Sequence, residues 1–206
     1  MNRADLLAKI AAGGGRIAQR LGIECSVYRP SGISDPIVAA NFIEALPIYL
    51  EPAEKLQERP EWIGTFDFSN SLQGDYLVSA DELTYFIAAQ TAFAPLVCVQ
   101  TNAILSVTRP VAVSNFGYNE YDGVTNSTTQ DVISGWPGSL LASGRAKDGE
   151  AADNMGLAAW DIMLPILPAV PLVADLVTDD SGRIFVVTAA ERTLLGWQLH
   201  VKQASS

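Results

Sequence analysis

The sequence predicts a mainly β fold: a small β-barrel or sandwich with an N-terminal helix and long extended loops. Two observations carry this. GDYLVSADELTYFIAAQ at 74–90 and ADLVTDDSGRIFVVTAAE at 174–191 share one layout, a short apolar run, an acidic polar turn and a returning strand rich in aromatic and β-branched residues. That is the pattern of a β-hairpin, and two hairpins of one design favour a barrel or sandwich. In TLLGWQLHVKQA, Leu195, Trp197, Leu199 and Val201 alternate with Gly196, Gln198, His200 and Lys202, the period of two of a strand with one buried and one wet face. A chain of 206 residues can bury a sizeable core, and all-β folds of this length often form single units.

The elements follow in order. Residues 1–22 read as a helical segment: Leu6, Leu7, Ile10, Ile17 and Leu21 recur at helical intervals, with Asn2 as cap and Gly22 as stop. Gly13, Gly14 and Gly15 interrupt it, each costing a helix interior roughly 1 kcal/mol relative to alanine, so a kinked or broken helix that depends on docking is expected. The run carries neither GxxxxGK nor GxGxxG and follows no strand, so it is no phosphate loop. The first part of the β domain is assigned to 23–110. It holds a strand at 23–30 ended by Pro30, a meandering surface connection over 36–61 broken by Pro47, Pro52 and Pro60, and a half-buried strand in WIGTFDFSNSLQ. The 74–90 hairpin comes next, then APLVCVQTNAILSVTRP, one long strand or a pair stopped by Pro110. Residues 111–156, dense in Gly, Ser, Asn, Thr and Asp, read as an extended loop or arm with a short embedded strand or docking segment at VISGWPGSLLAS. Residues 157–206 complete the β domain with the second hairpin and the last strand.

Composition bounds the function. Hydrophobic residues make up 49% and charged residues 17%, too apolar for disorder and consistent with a surface that meets other protein. A net charge of −10 argues against nucleic acid as a direct partner, since phosphate binding needs clustered Lys and Arg. The N-terminal segment lacks the continuous apolar stretch of an export signal or membrane span, which predicts a chain made and kept in a cytoplasm. Cys25 and Cys98 read as small buried hydrophobes. Asn126, Ser127 and Thr128 form a sequon that a non-exported chain would not use.

No catalytic, cofactor or metal residues are assigned. Ser139 sits in no GxSxG, no HExxH or CxxC is present, and His200, the one histidine, falls on the wet face of the last strand. Asp179, Asp180 and Gly182 suggest a calcium loop but lack its closing glutamate, so a plain β-turn is expected.

Three blocks, AKIAAGGGRIAQRLGIECSVYRP, GDYLVSADELTYFIAAQTAFAPLVCVQTNAILSVTRP and WDIMLPILPAVPLVADLVTDDSGRIFVVTAAERTLLGWQLHVKQA, together resemble a family of tailed-bacteriophage structural proteins. The last also resembles the small β-barrel head-to-tail adaptor or stopper proteins of the phage neck, which are shorter and lack the 111–156 insertion. About half the chain is covered. The resemblance implies a virion protein without chemistry or cofactor of its own, assembled in the bacterial cytoplasm as a ring or collar subunit. Its partners would be sister subunits, the portal, an adaptor and the tail tube or terminator, with DNA only as passing cargo and no membrane. Asp122, Asp179 or Asp180 would then face the DNA channel. A baseplate or tail-tip module binding host glycans is the alternative, with Tyr118, Tyr121 and Trp136 as stacking platforms, and a small hydrolase built on carboxylates is the third class.

Overall fold

Helix α1 (Arg3–Leu21) begins at a capping box in which the Asn2 side chain accepts from the Asp5 N–H at 2.8 Å and the Asp5 carboxylate accepts from the Asn2 N–H at 3.2 Å. It ends where the Gly22 N–H donates to the Ala18 carbonyl at 2.7 Å. The computed structural model describes residues 2–29, 34–44, 60–91, 94–112, 127–143 and 159–204.

The helix runs unbroken through its glycines, correcting the expected break. A Cβ on Gly14 would stand 2.7 Å from the Phe66 carbonyl oxygen and one on Gly15 2.9 Å from the Asp67 Cβ, whereas one on Gly13 would meet nothing within 4 Å. Two of the three glycines therefore permit close approach to the strand that ends at Phe66 and to the residue after it, and Ala11 and Ala18, both buried, complete the small-residue face. Packing offsets the poor propensity, so the helix depends on docking as the sequence suggested. Gly13→Ala is expected to raise stability by up to about 1 kcal/mol through propensity alone. Gly14→Ala is expected to lower it, because the same gain is outweighed by pushing the helix off the strand. Thermal denaturation of the two variants checks this, and equal stabilisation by both would rule out the close approach.

Six strands follow: β1 (Ile23–Tyr28), β2 (Ser34–Glu44), β3 (Glu61–Phe66), β4 (Tyr76–Ser79), β5 (Thr84–Ala89) and β6 (Leu96–Gln100). They close into a barrel in the order β1-β2-β3-β6-β5-β4, sealed by antiparallel pairing of β1 with β4, Cys25 opposite Ser79 and Tyr28 opposite Tyr76. The other six are β7 (Ala103–Ala112), β8 (Ser127–Ala142), β9 (Ala159–Leu164), β10 (Leu176–Asp179), β11 (Ile184–Thr193) and β12 (Gly196–Gln203). They close a second barrel in the order β7-β8-β9-β12-β11-β10, sealed by β7 and β10 with Val107 opposite Val177. Each barrel thus runs first, second, third, sixth, fifth, fourth. The mainly β fold with an N-terminal helix is as the sequence predicts, with two barrels in place of one.

The compact units are Met1–Asn102 with Thr193–Gly196, and Ala103–Arg192 with Trp197–Ser206. A single β domain split into 23–110 and 157–206 by an arm at 111–156 is therefore not what forms. APLVCVQTNAILSVTRP is a pair of strands, and the boundary between the units lies between them. Inside the expected arm, β8 pairs with both β7 and β9. Its loop-like composition has a physical source. Gly135 adopts a φ of 68°, and the β7–β8 register shifts twice between Leu105 and Thr108. Such bulges bend strands around a closing barrel. Residues 113–126 and 144–158 of that span, and 45–59 of the expected connection, lie outside the described residues.

Among the described residues three prolines sit inside strands, Pro36, Pro110 and Pro137, the first two contrary to expectation. Residues 34–44, read as turn and connection, form β2, and Pro36 falls where the β1–β2 register shifts between Cys25 and Val27, before β3 pairing starts at Ala40. Pro110 does not stop β7, which continues to Ala112. Pairing with β10 ends at Thr108, so among the described residues Pro110 is paired with β8 alone, opposite Thr129. Among the described residues Pro36 and Pro110 both occupy strand segments paired on one side only, the placement in which sheets tolerate a residue without an N–H.

The first core gathers Ala18 of the helix with Cys25, Val27, Ala40, Phe66, Leu77, Tyr85, Ile87, Leu96 and Cys98. The second includes Leu105, Val107, Leu140, Ile162, Leu164, Val177, Phe185, Leu199 and Val201. Leu199 and Val201 are buried and His200 is exposed, the alternation expected of the last strand.

Candidate functional site

The same ion pair is built into each barrel. Directly after β1, Arg29 donates from Nε and Nη2 to the two carboxylate oxygens of Asp75, both at 2.7 Å, and from Nη2 to the Asn70 carbonyl at 3.4 Å. In β7, Arg109 donates to both oxygens of Asp175 at 2.8 and 2.9 Å and to the Val170 carbonyl at 2.8 Å. Each aspartate also accepts the N–H three residues earlier, from Leu72 and from Leu172, both at 2.8 Å. Asp75 and Asp175 are buried. A buried carboxylate needs a full set of donors, and these forks supply it. The hydrogen bonds to Asp175 push the Arg109 guanidinium further up from its ordinary value. The clamps fix the loops that lead into β4 and β10.

The turns that follow are also equivalent. Ser79 and Leu83 in the first barrel exchange the backbone bond that Asp179 and Arg183 make in the second. The Ser79 hydroxyl accepts the Leu83 N–H at 3.1 Å, and the Asp179 carboxylate accepts the Arg183 N–H at 2.8 Å. Asp179 takes the Ser181 N–H and the Arg183 Nε as well, at 3.0 and 2.7 Å. A plain β-turn uses this carboxylate completely. Asp179 is buried, so it does not face a channel, whereas Asp180 is exposed. Asp122 lies outside the described residues.

Matching aromatics line both barrels. Trp62 of β3 meets Tyr85 edge-on at 6.0 Å, and Trp160 of β9 meets Phe185 edge-on at 5.9 Å. In the first barrel Phe42 stacks on Tyr85 at 3.9 Å, and in the second the Arg183 guanidinium lies 5.1 Å from the Trp160 ring. Among the described residues neither indole N–H finds an acceptor, a penalty of about 1–3 kcal/mol each accepted in both copies.

Cys25 and Cys98 are free and buried in the first core, as the sequence suggested. Burial pushes the Cys25 thiol up to about 11 and the Cys98 thiol up to about 12, the nearby Cys25 adding to the latter. Their model-compound value is 9.0. Above that pH the unfolded chain releases these protons while the folded chain retains them, so stability is intact below pH 9 and falls as pH rises toward 12. Urea midpoints on either side of pH 9 check this, with a Cys25→Ala, Cys98→Ala variant expected to lose less on going alkaline.

Ser139 is buried in β8 opposite Met163. His200 is exposed in β12, its Nδ1 lying 2.5 Å from Oδ1 of its cross-strand neighbour Asp161. Among the described residues no group of three or more His, Cys, Asp or Glu is placed to hold a metal ion, and no helix is long and apolar enough to cross a membrane. Trp136, read as a stacking platform, packs partly buried against the second core. Tyr118 and Tyr121 lie outside the described residues.

The twin clamps are the feature that sequence reasoning missed. The signal was present: Arg-Pro at 29–30 and 109–110, and Leu-x-x-Asp at 72–75 and again one hundred positions later. No protein-family model matches the chain, and neither does any curated protein or solved structure.

Proposed function

We propose that the chain is a non-catalytic virion subunit of a tailed bacteriophage, a ring or collar component of the neck that joins the portal end of the capsid to the tail. The observation that carries this reading is the doubled barrel itself. In both copies the buried aspartates are engaged in shaping loops, and Asp179 is engaged the same way. Work done by such a chain falls to its exposed surface, as in a joining part. The resemblance of the three sequence blocks to phage structural and adaptor proteins supplies the station. A net charge of −10 suits a lumen through which DNA passes without adhering. Sister subunits, portal, adaptor and tail tube or terminator are the partners on this reading.

Electron microscopy of intact virions, with this chain located by a fused tag, tests the proposal. Density as a ring between capsid and tail is the expected result. Tag density confined to the tail tip would move the chain to the baseplate, and virions lacking it altogether would end the reading.

A further inference from the structure

We propose that copies of this chain join head to tail, the acidic β4–β5 tip of one copy seating on the outer flank of α1 in the next. The inference rests on the reading of the chain as a ring-building subunit and names the surfaces that would build the ring.

The helix carries a wider apolar arc than its docking face uses. Ala11 and Ala18 meet the barrel, but Ile10, Ile17 and Leu21, aligned along an adjoining flank by spacings of seven and four, are 41, 50 and 71% exposed. Its charge is also opposite to the remainder of the chain. Arg3, Lys9, Arg16 and Arg20 against Asp5 give residues 1–22 a charge of +3, so the other residues carry −13 of the total −10. An apolar flank on a basic helix calls for an acidic occupant with an apolar centre.

The first barrel displays such a group. Asp81, Glu82 and Leu83 form the tip between β4 and β5, and all three are exposed, Leu83 by 42%. Glu82 holds a φ of 63°, a left-handed conformation unfavourable for a side-chain-bearing residue, where the matching turn of the second barrel has Gly182 at 78°. Leu83 is matched there by Arg183. The same turn can thus be made without strain, and the first barrel keeps a carboxylate and a leucine at that place. Strain retained at an exposed position points to use.

Topology places donor and acceptor on opposite walls. The helix lies against β2 and β3, and in the closed order β1-β2-β3-β6-β5-β4 the strands diametrically across are β5 and β4. Complementary patches on opposite sides produce a heterologous contact, which closes into a ring or continues as a filament. Anionic membranes and nucleic acid are the other occupants that a basic, apolar-flanked helix could take. The paired carboxylates and leucine of the tip favour a second copy.

Sedimentation equilibrium of the full chain over a concentration series, at low and high salt, tests this. The wild type is expected to self-associate, and more weakly at high salt. Arg16→Glu with Arg20→Glu, and separately Asp81→Lys with Glu82→Lys, should each weaken association by at least about tenfold. Mixing the two variants should restore it, since each helix then meets a tip of opposite charge. Glu82→Gly should raise the thermal midpoint while weakening association, a combination that damage to the fold would not produce. A wild type that stays monomeric throughout overturns the proposal. So does association indifferent to these changes, in which case ring assembly through other surfaces still stands. Charge reversal on α1 that abolishes binding to phosphatidylserine vesicles or duplex DNA while leaving association intact assigns the flank to those occupants instead. Presence in the virion, read separately, decides the broader function.

Discussion

Phe185→Ala is expected to destabilise the second barrel by about 3–5 kcal/mol, as truncation of a fully enclosed aromatic does. Phe185 is inaccessible to solvent, meets Trp160 edge-on and lies 5.6 Å from the Arg183 guanidinium. Truncation leaves a cavity among closed strands that have little freedom to collapse, and it removes the support of Trp160. Tyr85→Ala, at the matching place in the first barrel, should cost less, because Phe42 and Trp62 both pack on the vacated side and can partly fill the space. Fluorescence separates the units: Trp62 belongs to the first, and Trp136, Trp160 and Trp197 to the second. Denaturation of the Phe185→Ala variant should shift the second unit's signal most, and equal shifts for the two variants would show that the cavities relax alike.

Asp175→Ala should be nearly as damaging, at about 2–4 kcal/mol. The substitution removes the acceptor for two guanidinium bonds and for the Leu172 N–H. Arg109 is itself 32% exposed, so water can rehydrate it and the loss falls short of that for a fully sealed pair. Asp175→Asn keeps an acceptor for Leu172 while discarding the charge, so a smaller loss is expected. A double-mutant cycle with Arg109→Met, read by urea denaturation, should give a coupling of at least about 1 kcal/mol. Additive effects would mean that the fork positions the loop without stabilising it.

How much could be read beforehand follows from what the residues must do. The hairpins at 74–90 and 174–191 were legible because turn chemistry and strand propensity act locally. The last strand was legible because Leu199 and Val201 are buried and His200 is not. The doubling was harder to see, because the shared constraints are few and dispersed. An arginine, an aspartate, a leucine backbone and an edge-on aromatic pair per barrel recur, while the residues between them vary wherever only volume matters. Pro36 and Pro110 misled because the penalty of proline depends on which neighbour lies alongside, a matter of strand order. The glycines of α1 misled for the opposite reason: their helix penalty is local, whereas their benefit, approach to Phe66 and Asp67, comes from a strand some fifty residues away. Candidate surface residues were the least legible, since Glu82 attracts notice only once its backbone conformation can be set beside that of Gly182.

The repeated wiring has a consequence for how such a chain can change. Two modules with one scaffold need not be interchangeable: the shared forks and aromatics keep each foldable, while their outward residues drift independently. Where the first carries Leu83 and the second Arg183 on the same turn, one scaffold presents two distinct surfaces. A lone module assembling with itself would show every mutation in all copies at once, but a fused pair can alter one face and hold the other constant.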